Sequence, residues 1–306
     1  MEADVLKMED SFSFIRFKSY FTLYVIANRR KLMLGSLQIF IFTFLLTLFF
    51  LFTGGFESYR ITAEYMNQHG ISGIESASDL TVQEAVADPF WATESIIIIL
   101  MAFIFIAYAG SLMFSSMINK KDRLSTIETP ASQGEKFLVW WSIYLPLALV
   151  MILFGFWLAD MIRVLWVSVF TSYGKFAHPY PFVNILSLSA PHEYLASDTS
   201  NGITFVIYSS LALCNAVFAL GSIFFHRLNF LKTVVSLFVM LVVFAILFSF
   251  GKTLLLGDNY GVLTSRFSFS STSNAFVAGS IIFLIAFMIY MFAYFRYREE
   301  EIICRW

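Results

Sequence analysis

Residues 95–117 read SIIIILMAFIFIAYAGSLMFSSM, a run without a single charged side chain. A helix of about 20 apolar residues crosses the ~30 Å hydrocarbon core of a bilayer, so this run is long enough to span one. Its apolar residues are continuous rather than alternating, which argues against a barrel strand. Lipid offers no partner for backbone N–H and C=O groups, and a helix satisfies them within the segment. Working outward, five more stretches meet or approach that length without an internal charge: 33–53, 137–159, 203–225, 233–250 (a little short) and 275–295. The reading is an all-α, polytopic membrane protein of six transmembrane helices forming one membrane domain, 1–306. Composition agrees, because only 13% of the chain is charged against about 25% in a soluble domain.

Orientation follows from where Lys and Arg fall. With the N-terminus inside, the inner segments 1–32, 118–136, 226–232 and 296–306 hold fifteen of the twenty basic residues. The acidic residues split almost evenly, so the bias is the Lys/Arg one that insertion responds to. Both termini are therefore expected in the cytoplasm. Trp91, Trp140, Trp141, Tyr294 and Tyr297 fall at predicted interfaces, as anchoring aromatics do.

Residues 10–31, DSFSFIRFKSYFTLYVIANRRK, carry Phe14, Phe17, Phe21, Tyr24 and Val25 at helical spacing, with Arg16, Lys18, Arg29 and Arg30 elsewhere. This predicts an amphipathic helix lying in the cytoplasmic interface. The first outside loop, 55–92, is acidic, with Glu57, Glu64, Glu75, Asp79, Glu84 and Asp88 against one Arg. Gly70 and Gly73 break it into two expected short helices. It reads as a solvated surface rather than a cation site. The second outside loop, 171–202, holds His178, Pro179, Pro181, Pro191, His192 and Glu193 and reads as structural. Asp160 and Arg163, three residues apart at the outer end of the third span, share a helical face and predict an interfacial ion pair.

No catalytic constellation emerges. His192-Glu193 lacks the second histidine of a zinc-protease helix, because position 196 is Ala. Gly251-Lys252-Thr253 resembles the end of a phosphate-binding loop, but the glycine required five residues earlier is Ile246. The spans contain little that is polar beyond Ser, Thr and Asn215, which argues against an ion-coupled carrier and against an intramembrane active site. Cys214 and Cys304 have neither metal-ligand spacing nor a disulfide framework. No cofactor and no enzymatic activity are expected, and there is no basic excess that would suggest nucleic acid.

The inner loop between spans two and three is the informative one: NKKDRLSTIETPASQGEKFLVWW, Asn119 to Trp141. Ser132 and Glu135 fit a capping box, and Pro130 stops any helix from running through Glu128 and Thr129. A charged loop, then Pro130-Ala131-Ser132, then Glu135-Lys136-Phe137 opening span three, resembles the permease subunits of type-2 ABC exporters. The stretch ending Asn28-Arg29-Arg30-Lys31 is similar to the amphipathic connecting helix before span one in such permeases. The resemblance rests on about ten residues and on the topology. Thr129 stands where the family has an apolar residue, and 251–274 is polar where well-studied members carry an apolar re-entrant pair.

That resemblance implies a permease subunit of an ATP-driven exporter in a bacterial cytoplasmic (inner) membrane. It implies a separate ABC ATPase subunit, a second permease copy and membrane lipids as partners. The ATPase-coupling residues would be Lys120, Lys121, Arg123, Thr129, Pro130, Ala131, Ser132, Glu135 and Lys136. Arg16, Lys18, Arg29 and Arg30 would belong to the interfacial helix. The alternative is a non-transporting assembly or regulatory protein that works through loops 55–92 and 171–202. An ion-independent carrier is a third, weaker reading.

Overall fold

A computed structural model describes residues 12–68, 90–114, 131–180, 182–188, 197–225, 230–240, 242 and 272–303. All the regular structure among them is helical. In chain order the helices are α1 (Phe14–Ala27), α2 (Arg29–Phe50), α3 (Phe56–Gln68), α4 (Trp91–Leu112), α5 (Gln133–Ser142), α6 (Ala148–Phe170), α7 (Phe182–Ser187), α8 (Ser197–Phe224), α9 (Phe230–Met240) and α10 (Thr272–Ile303). π turns at Leu51–Gly55 and Ile143–Leu147 join α2 to α3 and α5 to α6 without a break.

Among the described residues five helices are long and apolar enough to cross a membrane: Arg29–Glu64, Thr93–Leu112, Gln133–Phe170, Gly202–Phe224 and Ser273–Glu299. Their exposed sides carry large apolar residues, including Phe276, Leu284, Met288, Phe292 and Phe295 on α10. Surface of that kind is matched to lipid rather than water. The chain is an all-helical, multi-pass membrane protein. The expected fifth span, 233–250, is described only as far as α9 and residue 242, and the rest lies outside the described residues.

Two helices outrun the sequence expectation. The outside loop expected from 55 is helical to Gln68, because the π turn carries the helix through Gly54-Gly55 instead of ending it there. The third span, expected to end at 159, continues to Phe170. Asp160 and Arg163 lie inside that helix, and their buried partners, described below, remove any need for it to stop. Of the two short helices expected in loop 55–92, the one before Gly70 coincides with α3, and residues 69–89, with Gly70 and Gly73, lie outside the described residues.

The π turn at Ile143–Leu147 surrounds Pro146. Proline has no N–H to return to the preceding turn, and its ring crowds the carbonyl four residues back. The wider turn relieves both, and the Ala148 N–H reaches five residues back to Ile143 O.

Packing divides the chain into two compact units, Met1–Asn28 with Ile106–Ala148 and Phe205–Trp306, and Arg29–Phe105 with Leu149–Thr204. The first is built on small residues. Ala212, Ala216, Ala219 and Ile223 on α8 and Ala286, Tyr290, Ala293 and Tyr297 on α10 form matched stripes in one buried cluster. Small residues let helix backbones approach, which is how apolar helices associate where water supplies no driving force. Gly110 shows how close: a Cβ there would lie 2.6 Å from Asn215 O. Phe114, Trp140 and Tyr297 close one end, Trp140 and Tyr297 meeting edge-on at 5.2 Å. In the second unit Gly155 on α6 admits α2, with Ile39 and Phe40 at contact distance from its would-be Cβ.

Candidate functional sites

The start of α5 is built as its sequence implies. Ser132 is extended (φ −66°, ψ 156°) and caps the helix. The Glu135 N–H donates to Ser132 Oγ (3.3 Å), and the Ser132 N–H donates to Glu135 Oε2 (2.9 Å). That reciprocal box leaves the other carboxylate oxygen available, and α1 takes it. The Ser13 N–H donates to Glu135 Oε1 at 2.7 Å, and Arg16 Nη2 lies 3.2 Å from the same oxygen. Glu135 is fully enclosed, while the Arg16 side chain is about one-third exposed. One carboxylate thus caps α5 and clips α1 to it. A second tie lies further along, where the Tyr24 and Tyr144 hydroxyls meet at 3.0 Å. Burial, and then the neighbouring Tyr144, push the Tyr24 phenol above its ordinary range.

Ser132 and Glu135 of the coupling set read from the sequence come together here with Arg16 of the expected interfacial helix. Lys136 is buried in the same turn, and Ala131 is half-buried just before the cap. Lys18 is exposed on α1, and Arg29 and Arg30 are exposed in the first turn of α2. Lys120, Lys121, Arg123, Thr129 and Pro130 lie outside the described residues. The helical periodicity of 14–25 is realised differently from the expectation. Tyr20 is buried and Tyr24 is bonded to Tyr144 in the π turn after α5, while Ile15, Leu23 and Ile26 are exposed.

The second centre was only half visible in the sequence. Arg163 and Asp160 pair as expected, with Nη2 and Nε donating to Asp160 Oδ1 at 2.8 and 2.9 Å. Glu94 from the first turn of α4 joins them, its Oε1 2.7 Å from Arg163 Nε. All three are buried. Arg163 also donates to the Tyr59 hydroxyl and to His178 O (2.9 Å), and it lies over the Phe90 ring. Asp160 Oδ2 accepts from the Tyr180 N–H at 2.7 Å, and Trp91 Nε1 donates to His178 O at 3.3 Å. The cluster therefore fastens the 178–180 backbone to the ends of α4 and α6. Burial, then the Glu94 and Asp160 carboxylates, push the Tyr180 phenol well above its usual range. Glu94 escaped notice because an acid in a helix's first turn is ordinary there. The available signal was its place immediately before an uncharged run.

The third centre is Asn215 on α8, fully buried. Its Nδ2 donates to Ile106 O and Tyr144 O, both at 3.0 Å, and its Oδ1 accepts from the Tyr290 hydroxyl at 2.7 Å. One amide ties α4, the π turn and α10 to α8. Among the described residues no group of three His, Cys, Asp or Glu side chains is placed to hold a metal ion. Each centre joins helices to one another, and comparison with family models, curated proteins and solved structures returned no match to this chain, so its function is read from these sites alone.

Proposed function

We propose that the chain is the membrane subunit of an ATP-driven exporter of the type-2 ABC kind, with a separate cytoplasmic ATPase as its engine. The observation that supports this reading is Glu135. Its single carboxylate joins the N-terminal helix to the head of a membrane-crossing helix, directly after the charged inner loop. A displacement applied to that loop by an ATPase would move α1 and α5 as one piece. In this reading the chain has six spans, both termini are cytoplasmic, and it sits in a bacterial cytoplasmic membrane beside a second permease copy. The α1 helix lies in the inner interface, with its exposed Ile15, Leu23 and Ile26 toward lipid. Lys120, Lys121 and Arg123 are the expected contacts for the ATPase in this reading.

The test is purification of the intact complex in mild detergent with identification of the chains that accompany it. A stoichiometric partner bearing a nucleotide-binding loop, lost when Lys120, Lys121 and Arg123 are reversed to Glu, supports the proposal. Recovery of envelope proteins alone, under conditions in which a known ABC complex survives, overturns it. A second reading, an assembly or regulatory protein acting through its outside loops, is favoured by one observation: the backbone at 178–180 is held by a buried charge cluster. That reading predicts that the triple reversal is mild.

A further inference from the structure

A cavity of about 380 Å³ opens in the first unit, between the head of α5 and the far end of α10. That is near the lower end of the ~300–1,000 Å³ typical of ligand pockets. Its walls divide by chemistry. Phe12 and Leu138 are apolar, Ser132, Gln133 and Tyr294 bring polar groups that can donate hydrogen bonds, and Arg298 brings a positive charge. Among the described residues no carboxylate lines it. Glu135, the nearest in sequence, is turned to Ser13 and Arg16 instead. Arg298 makes no ion pair among the described residues, whereas its neighbour Arg296 is paired with Glu299. Gly134 also lines the cavity and adds no side chain to its wall.

The cavity's place along the helices narrows the occupant. Gln133 opens one membrane-crossing helix, and Arg298 stands at the end of another. Both mark the depth at which a span leaves the hydrocarbon, the depth of lipid headgroups. A site there with a cation that makes no ion pair among the described residues, neutral donors and apolar walls fits an amphiphile with an anionic head. We propose that this cavity is a specific site for the phosphate-bearing headgroup of an anionic phospholipid, with Arg298 as its charge partner and Phe12 and Leu138 against the glycerol and upper chains. The inference stands apart from the exporter reading, and its test does not involve the ATPase.

The experiment uses the full-length protein purified in detergent. It is exposed to equal amounts of phosphatidylglycerol and phosphatidylcholine with matched chains, and retained lipid is read by native mass spectrometry. The wild type should retain phosphatidylglycerol about fivefold over phosphatidylcholine, the preference one basic residue near an anionic headgroup supplies. Arg298→Gln should abolish the preference. Leu138→Trp, which fills the cavity without touching charge, should abolish it too. Arg298 is exposed and its replacement leaves the core intact, so an unchanged gel-filtration profile is the folding control for that variant. Equal retention of the two lipids by the wild type overturns the proposal, as does a preference that survives either variant. Inorganic phosphate at millimolar concentration should leave retention unchanged, and displacement of the lipid by phosphate would assign the site to a free anion instead.

Discussion

Arg163 and Asn215 are both wholly enclosed, yet one is a full charge set between two carboxylates and the other a neutral amide. Their positions explain the difference. Arg163 comes late in the 38-residue helix Gln133–Phe170, about 45 Å from its start at 1.5 Å per residue, well past one hydrocarbon thickness. There a guanidinium finds a backbone carbonyl, His178 O, and a phenol to take its remaining donors. Asn215 lies mid-way along Gly202–Phe224, where an ion would be far more costly. It spends both amide hydrogens and its carbonyl on partners, so neither unpaired donor nor acceptor is left. Charge is used where a span ends, and a neutral amide where it crosses.

Breaking the charged centre should have the largest effect. Arg163→Met strands Glu94 and Asp160 in a buried site, a loss of about 3–5 kcal/mol. The expected result is collapse of the monodisperse peak in detergent gel filtration. The triple variant Arg163→Met, Glu94→Gln, Asp160→Asn should recover much of it, and failure to recover would mean that the tie to His178 and Tyr59 matters more than charge. Next is the neutral centre's close packing. Gly110→Val drives a side chain into Asn215 O and should cost about 1–3 kcal/mol, visible as a lowered thermal midpoint. Asn215→Leu should cost about 1–2 kcal/mol, since interhelical polar contacts in membranes are individually modest. A loss as large as that of Arg163→Met would erase the contrast between the two centres. Smallest is the clip at α5. Ser132→Ala should cost about 1 kcal/mol through the lost cap. Glu135→Gln should cost about 0.5 kcal/mol, because Arg16 is partly exposed and its pairing is screened. The same Glu135→Gln variant should loosen α1, read as faster amide exchange at Ser13.

Five of the spans and the Ser132–Glu135 box were legible in the sequence because each depends on local information, an uninterrupted apolar run or a residue pair three apart. The Asp160–Arg163 pair was legible for the same reason. What joins Glu135 to Ser13 and Arg16, or Glu94 to Arg163, depends on which helices pack together, and no spacing along the chain carries that. The two π turns were invisible on similar grounds. Neither Gly54-Gly55 nor Pro146 announces a π turn by spacing, and neighbouring contacts, such as the Phe90 ring against Gly55, are not written in the local sequence.

The turn around Pro146 also says something about how this gene can change. A π turn is a helix holding one residue more than its register needs. Elsewhere in Gln133–Phe170, an in-frame loss of one codon would rotate everything after it by about 100° and pull Asp160 and Arg163 off their partners. Loss of the Pro146 codon should instead close the turn to ordinary helix and leave both flanks in phase. A scan of single-codon deletions along this helix should therefore find one tolerant window, at 143–147.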